Sequence, residues 1–487
     1  MKNLIDQIKR LETISQALEP DEINRNIYLD QVKDFGNEFI NSLESEKCFH
    51  QASPTPNIFK ITSKKKKLGE IIDIYDKEIG KKGINAASGA HLGYIPGGGI
   101  FTASLGDLMA DISNEYAGMN FASPGGVGME NELIDWMKGI FNYPNEAVGN
   151  LTSGGSIANL IALTSARDAH QIKGDKIIKS VIYLSDQTHH CIHKALRIIG
   201  LEDVVMRTIS LDSFSRMNSS ELKNQIESDR SLGLHPFMII ASAGTTDTGA
   251  IDPLEEIGKI AAAHDLWYHI DAAYGGFFIL SDLKKERFKG IERSDSLVVD
   301  PHKGLFLPYG IGAVLVKHKQ AVFRSHHQTA HYMQDALLED SPINPADVSP
   351  ELTKHFRGMR MWLPLQLHGI TPFIACLEEK IYLTGYIRAL LSEAGFQIGP
   401  EPDLSVSYFW YEPLHIDRDL FNKKLLEFIH KDGSAFFSST QLNGKFVIRI
   451  AILSFRTKLK TIDRAVEMIK ECLDKAKIHF GISSPQA

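Results

Sequence analysis

The sequence predicts an α/β fold, with a large domain built on a mostly parallel central sheet and a small C-terminal α+β domain behind it. Three observations predict this. From about residue 85 to 370, helical patterns such as IANLIALTSARDAH and DPLEEIGKIAAAHD alternate with short β-rich runs: SVIYLSD, PFMIIASA, LWYHIDAA, SLVVDP and GAVLVK. Strand, helix, strand at this rhythm means crossover connections and a parallel sheet. Past about 370 the rhythm changes to an alternating strand, an apparent hairpin and amphipathic helices. Residues 1–84 carry helical patterns with polar breaks and no strand run. The expected units are therefore 1–84 (helical, suited to packing on a partner subunit), 85–370 and 371–487.

The chain has 487 residues, 43% apolar and 23% charged, which is ordinary globular composition with ample material for a core. A net charge of −7 argues against nucleic acid as the partner. The basic run Lys64–Lys67 is short and reads as a solvated loop or helix end. Four scattered cysteines lack any CxxC spacing, so neither a zinc ribbon nor a disulfide framework is expected. The first twenty residues form a charged amphipathic helix without the apolar core of a signal peptide, and no run is long enough to span a bilayer. A soluble, cytoplasmic protein is expected. No repeat or low-complexity segment occurs.

In the C-terminal part, SVSYFWYEP alternates like a half-buried strand, and DLFNKKLLEFIHKDG places Leu425, Leu426 and Ile429 at helical spacing. SSTQLNGKFVIRIAI reads as a hairpin turning at Asn443-Gly444 through a type I′ turn. TIDRAVEMIKECLDKAK reads as a helix capped by Thr461. The stretch 335–352, with three prolines and no period, reads as a surface loop suited to a lid.

In open α/β sheets, ligands sit beyond the carboxyl ends of the strands, so the residues closing each run carry the functional information. TSGGSIANLIAL offers Gly154 and Gly155 for a tight turn and Ser156 to cap the following helix. Its free N–H groups and dipole suit a phosphate, although any capped helix after a glycine turn looks alike. SDQTHHCIHKA offers His189, His190 and His193. Only His189 and His193 are spaced to share a helix face, and no HExxH partner exists, so no metal site is expected. His189 is either an imidazole stacking on a planar ligand or a structural histidine. Thr245 and Thr246 close the PFMIIASA strand and either bind a ligand or make a polar turn. In HIDAAYGG, Asp271 is an acid after an apolar run, costly to bury unpaired, and the small residues behind it leave room for something flat. In SLVVDPHKG, Lys303 follows Asp271 by 32 residues, the length of one crossover unit, so both side chains emerge on one sheet edge. A lysine at an apolar strand end is expected to have a lowered pKa and to attack carbonyls. A nucleophilic amine, an acid for a ring nitrogen, a phosphate cup and a stacking imidazole together form the set that holds pyridoxal 5'-phosphate as an internal aldimine.

On GYIPGGG, FASPGGVGMENELIDWM, TSGGSIANL, SDQTHH, GTTDTGAIDP, HIDAAYGG, DPHKG and FRGMRMW, the sequence resembles the group II pyridoxal-phosphate decarboxylases, which include the aromatic-L-amino-acid and glutamate decarboxylases. The resemblance is dense from about 85 to 370. It implies the aspartate-aminotransferase-like fold (fold type I), a homodimer with active sites at the interface, and loss of carbon dioxide from an L-amino acid by way of a quinonoid, leaving an amine. It implies Lys303 as the Schiff-base lysine, Asp271 as partner of the pyridine nitrogen, and His189 and Ala273 on the two ring faces. Gly155, Ser156, Asp300 and His302 resemble the phosphate-binding positions. The family often has asparagine at Asp300, and an acid beside a phosphate needs an explanation. Thr246 resembles the threonine near the cofactor hydroxyl and the substrate carboxylate. Pro96 and Gly97 resemble pocket lining, and the glycines after Pro96 suggest a roomy pocket that leans toward aromatic substrates.

Aromatic decarboxylases of the family use a loop tyrosine to protonate Cα. Here Pro345 stands near that place, and the nearest upstream phenol is Tyr332, the expected donor, with His326, His327 and His331 as further candidates for proton transfer. Without a phenol in reach, oxygen could intervene and yield an aldehyde, which makes an oxidative decarboxylase, or another carbon–carbon lyase, the alternative. A non-catalytic homologue is opposed by intact Lys303 and Asp271. A serine hydrolase using Ser156 is opposed by the missing GxSxG elbow.

Overall fold

The computed structural model describes residues 1–327 and 342–482. Ahead of the main sheet, β1 (Phe49–His50) pairs antiparallel with β2 (Gly83–Ile84). Seven strands then build the central sheet: β3 (Val148–Thr152), β4 (Ser180–Ser185), β5 (Val205–Ile209), β6 (His235–Ser242), β7 (Trp267–Asp271), β8 (Ser296–Val299) and β9 (Gly312–Val316). Their order is β3-β9-β8-β7-β6-β4-β5, and only β9 runs against its neighbours β3 and β8. Every residue of β4, β7, β8 and β9 is buried, because helices cover both faces of the sheet; this is why these strands read as near-continuous apolar runs. Each fully buried Ile, Val or Leu contributes about 1.5–3 kcal/mol relative to exposure. β5, at the edge, alternates half-buried Val205 and Arg207 with exposed Met206 and Thr208.

Two apolar clusters flank this sheet, one holding Ile239, Ile270 and Leu297 and the other Ile240, Trp267 and Val298. That division follows from the two-residue period of a strand. The register sets Ser242 beside Asp271 and Asp271 beside Val298, so β6, β7 and β8 end at nearly one level.

After the helix Thr371–Glu393, a four-stranded antiparallel sheet forms in the order β10-β11-β13-β12, from β10 (Gln397–Ile398), β11 (Val406–Trp410), β12 (Ser438–Leu442) and β13 (Lys445–Ala451). Its hairpin turns as expected: Asn443 and Gly444 both have positive φ, at 52° and 72°. The last helix starts earlier than its sequence suggests. It spans Leu459–His479, and Thr461 sits in its first turn, where its hydroxyl accepts the Lys458 N–H at 3.2 Å. Thr461 thus caps the helix from inside its first turn instead of from outside, and the Lys458 side chain, a donor only, returns no bond. The proline-rich stretch also differs from expectation. Among its described residues, Pro345–Val348 form a short turn with Pro345 and Val348 buried, so this part belongs to the core surface and not to a free loop.

Candidate active site

A cavity of about 270 Å³ opens beyond the carboxyl ends of β6, β7 and β8, the small end of the range for cofactor pockets. Gly155, Ser156, His189, Thr246 and Asp271 line it, together with Ala273, Asp300, His302 and Lys303. The crossover argument from the sequence therefore holds: neighbouring parallel strands deliver Asp271 and Lys303 to one cavity.

One end of the cavity is the start of the helix Gly155–Ala169, whose first N–H groups have no acceptor within the helix. The turn into it is held by Gly154, with φ +151°, a region L side chains avoid. The Thr152 hydroxyl clasps the turn, donating to Gly154 O at 3.0 Å. A side chain at position 155 would place its Cβ 2.8 Å from Asp300 Oδ2, so glycine keeps this backbone open to an anion. Ser156 is the second helical residue and is exposed, so the cap expected of it is absent and Gly154 occupies the cap position. The His302 Nδ1–H donates to the Ile311 carbonyl, which fixes that ring, and its Nε2 lies 3.8 Å from Asp300 Oδ2. Asp300 is only 1% exposed, and its Oδ1 has no partner among the described residues. A buried polar atom left open beside free N–H groups marks a place for a ligand.

At the other end, Asp271 closes β7. Its Oδ1 accepts the Ala273 N–H at 3.0 Å and its Oδ2 accepts the Asn159 side-chain N–H at 3.2 Å. His189 is half-buried, with its ring 4.1 Å from that of His190, and burial pulls its pKa down, so the ring is neutral and free to stack. Thr245 and Thr246 both line the cavity; Thr245 is the more buried and bonds the Thr248 hydroxyl at 2.7 Å within the turn. His193 is exposed on its own helix and does not reach the cavity.

Lys303 corrects an expectation. Burial pulls its pKa down, but the Asp300 and Asp271 carboxylates outweigh burial and hold it above the ordinary lysine value. Its Nζ lies 3.0 Å from Asp300 Oδ2. The desolvation inferred from an apolar strand end is present; two carboxylates placed there by the fold reverse its effect. The turn carrying Lys303 is itself constrained. Phe306 adopts φ +60° while buried, a conformation that costs a bulky residue about 1–3 kcal/mol. It is held by the Ile100 N–H on its carbonyl at 2.9 Å.

Pro96 and Gly97 do not line the cavity of this chain. A Cβ at Gly97 would stand 2.0 Å from the His302 carbonyl oxygen, so the glycine there permits close backbone packing beneath the lysine turn, not roominess. His326 and His327 also lie elsewhere, the first bonded to Val322 O at 3.3 Å and the second to Asp347 at 3.0 Å. Tyr332 and His331 lie outside the described residues. Sequence reasoning missed Asn159, Gln187 and Cys191, which also line the cavity. A signal existed for Asn159, a lone amide in the apolar helix SIANLIAL. Gln187, whose buried Oε1 has no partner among the described residues, sat inside the quoted SDQTHH. Among the described residues no group of three His, Cys, Asp or Glu stands together to hold a metal.

The arrangement provides an anion cup, a carboxylate for a cationic nitrogen, a flat face and a primary amine, and these fit pyridoxal phosphate. Comparison with known proteins agrees. Residues 61–412 match the model of the pyridoxal-dependent decarboxylase conserved domain. An aromatic-L-amino-acid decarboxylase of Bacillus atrophaeus is 33% identical over 395 residues, 80% of this chain and 82% of that protein. Tyrosine decarboxylase 2 of Narcissus pseudonarcissus is 30% identical over 397 residues, 78% of this chain and 79% of its own length. Aldehyde synthases occur among the relatives as well. The Oryza sativa TDC structure solved with PLP and tryptamine superposes with a TM-score of 0.88 at 22% identity, over 94% of this chain and 99% of that one, which establishes the shared fold.

Proposed function

The chain belongs to the pyridoxal-dependent decarboxylase family, and from that premise we propose how its own residues carry out amino-acid decarboxylation with pyridoxal 5'-phosphate. One observation carries the residue assignment: Lys303 and Asp271 meet in a single cavity whose far end is a free helix N-terminus. Bound pyridoxal phosphate supplies the electron sink that lets an amino acid lose its carboxylate as carbon dioxide. The N–H groups of Gly155 and Ser156, with His302, hold the phosphate. Asp271 keeps a proton on the ring nitrogen by pairing with it. His189 and Ala273 confine the ring, and Thr246 binds at its hydroxyl edge.

Lys303, the one lysine among the described residues lining the cavity, would hold the cofactor through its amine. Held as an ammonium by the Asp300 and Asp271 carboxylates, with Asp300 Oδ2 3.0 Å away, it must first release a proton. The carbon that loses carbon dioxide then takes up a proton, and Tyr332 is the proposed donor. Names among the relatives support an aromatic L-amino acid as substrate. Borohydride reduction followed by peptide mapping tests the assignment: the expected adduct is on Lys303, and an adduct on another lysine overturns it. A screen of amino acids for carbon dioxide release tests the substrate class.

One observation favours a second reading. Pro345, near the place of the family's loop tyrosine, is buried in a turn and has no proton to give. An oxidative outcome would consume oxygen and water and release aldehyde, ammonia, carbon dioxide and hydrogen peroxide. Product analysis of wild type and Tyr332→Phe decides: amine from wild type and aldehyde from the variant support Tyr332, and unchanged amine removes it.

The proposed assembly is a homodimer. No residue of the helices Lys2–Ser15 and Glu22–Ser42 is fully buried within the chain although both carry large apolar residues. No described helix is long and apolar enough to cross a membrane. The four cysteines are free, which suits a reducing compartment, and the cytoplasm is the proposed location.

A further inference from the structure

Behind Asp271 lies a file of buried polar groups that the chemistry above does not use. Trp267, His269 and Asp271 alternate along β7 and so share one face of the sheet. Ser296 stands in register with His269 on β8. The helix Gly155–Ala169 covers that face and lowers Asn159 onto it. Asn159, His269 and Ser296 are each 0% exposed, and burying them is costly unless every polar atom is paired. They are paired. The Trp267 Nε1–H reaches Ser296 Oγ at 2.8 Å, Ser296 Oγ reaches His269 Nδ1 at 2.9 Å, His269 Nε2 reaches Asn159 Oδ1 at 2.8 Å, and Asn159 Nδ2 reaches Asp271 Oδ2 at 3.2 Å.

The polarity of this file follows from what each group can do. An indole N–H only donates, so Ser296 accepts from Trp267 and has its own proton left to give. A carboxylate only accepts, so Asn159 turns its NH₂ to Asp271 and its carbonyl oxygen to His269. His269 must then donate from Nε2 and accept at Nδ1. It is neutral in this arrangement, which agrees with burial pushing its pKa down to about 4. The second amide proton of Asn159 goes to Cys191 Sγ at 3.4 Å, leaving the amide no freedom to flip. Along the file itself, from Trp267 through Ser296, His269 and Asn159, each donated proton points toward Asp271.

We infer that Ser296, His269 and Asn159 are positioning residues, a one-way hydrogen-bond chain that holds the Asp271 carboxylate aimed at the cofactor's ring nitrogen. The inference rests on the proposed pairing of Asp271 with that nitrogen. If Asp271 were to carry a proton and donate it, the amide and the imidazole would both have to reverse, so the whole file is committed to one charge state of the acid. Its members lie too deep to touch substrate and act only through Asp271.

The test has a part that needs neither a variant nor the cofactor. In ¹⁵N-histidine-labelled wild-type protein, His269 is expected as the neutral tautomer with the proton on Nε2; an Nδ1–H tautomer or an imidazolium at neutral pH overturns the inference. The second part uses His269→Phe, which fills the space but cannot donate, and His269→Gln, whose amide can still donate to Asn159. With ¹⁵N-labelled pyridoxal phosphate bound, the phenylalanine variant is expected to shift the ring-nitrogen signal toward the unprotonated form and to lower kcat about 10–100-fold with little change in KM, the range seen when supporting groups behind functional ligands are removed. The glutamine variant is expected to restore much of both. Should His269→Phe fail to fold, Ser296→Ala, which deletes only a hydroxyl, is expected to show a mixed His269 tautomer. Variants with wild-type nitrogen signal and kcat overturn the inference. Borohydride trapping in the same preparations separates the two failures: no adduct on Lys303 defeats the cofactor assignment, whereas a normal adduct with an indifferent ring signal defeats only the chain.

Discussion

No residue of the helices Lys2–Ser15 and Glu22–Ser42 is buried, whereas every residue of β7 and β8 is. In the first helix Leu4, Ile8 and Leu11 recur at helical spacing and all face solvent. The helix Phe101–Ser113 does the same with Phe101, Leu105, Leu108 and Ile112. At the carboxyl ends of β7 and β8, by contrast, the chain itself supplies a partner for nearly every buried polar group, down to the file behind Asp271. The difference teaches that one region is finished by its own chain, whereas the other leaves apolar faces open that the proposed homodimer would cover. The open atoms at the finished end, Asp300 Oδ1 and Gln187 Oε1, are single acceptors suited to a small ligand. The open surface at the other end is apolar and extended, suited to a second copy of the chain.

The largest effect expected is at the finished end. Lys303→Ala should lower kcat by at least about 1,000-fold, or about 4 kcal/mol in the barrier, while thermal unfolding and oligomeric state stay as in wild type. A variant that dissociates or melts early would show that the lysine turn also supports assembly, which blurs the distinction. Next comes the cost of keeping His269 neutral. Its pKa is about 4 in the folded protein against about 6.5 when exposed. The unfolded chain therefore takes up the proton first, so stability is intact above pH 6.5 and falls as the pH drops toward 4. Over that window the loss amounts to about 3 kcal/mol. Buried His91, also at about 4, adds a similar slope. Denaturant melts from pH 7 to 4 should show His269→Gln with a shallower acid slope than wild type; an equal slope would mean that His269 is already charged.

What the sequence made legible follows the same division. β4, β6, β7, β8 and β9 could be read because each is a short apolar run buried on both faces that stops at polar or small residues. β3 was not legible, since VGNLT carries Gly149 and Asn150 at its centre, the glycine being required where Val314 O approaches. β5 was missed because an edge strand with Arg207 and Thr208 looks like a loop. Lys303 and Asp271 were placed correctly by spacing alone. The proton affinity of Lys303 was not, because it depends on two carboxylates converging in space, and only the fold sets those distances. Helix starts were displaced by a few residues at Ser156 and Thr461, since a hydroxyl one turn inside a helix has the same sequence signature as a cap. The close packing at Gly97 was not legible, because a glycine that opens a pocket and a glycine that lets two backbones touch are the same letter.

The open apolar faces are tested by charge. Leu108→Glu combined with Ile112→Glu should weaken self-association by at least about 100-fold, or about 2.7 kcal/mol, because two carboxylates would be buried without partners. Sedimentation velocity across a dilution series measures this, and the central sheet should keep its own melting transition. Unchanged association would show that this face is not the one a second copy covers. Ile8→Glu applies the same test to the N-terminal helix and should act in the same direction.

The smallest effect expected is at Asp300, where the finished end is least finished. Its carboxylate is buried beside the free N–H groups of the phosphate cup, with Oδ1 open and Oδ2 engaged by the Lys303 ammonium. Two consequences follow from replacing it by asparagine. A negative charge leaves the neighbourhood of a phosphate, so pyridoxal phosphate should bind roughly 10-fold more tightly, about 1.4 kcal/mol. The largest carboxylate contribution to the raised Lys303 pKa is also lost, so the amine becomes neutral at lower pH. The sign is fixed by the raised value: in wild type the reactive neutral amine appears only as pH rises toward the folded-state pKa, and cofactor capture should accelerate along that rise. In Asp300→Asn the same rise should come at lower pH. Stopped-flow absorbance of cofactor capture from pH 6 to 10 reads both the affinity and the position of the profile. If the variant binds more weakly with an unshifted profile, Asp300 is a structural member of the cup and not the group that restrains Lys303.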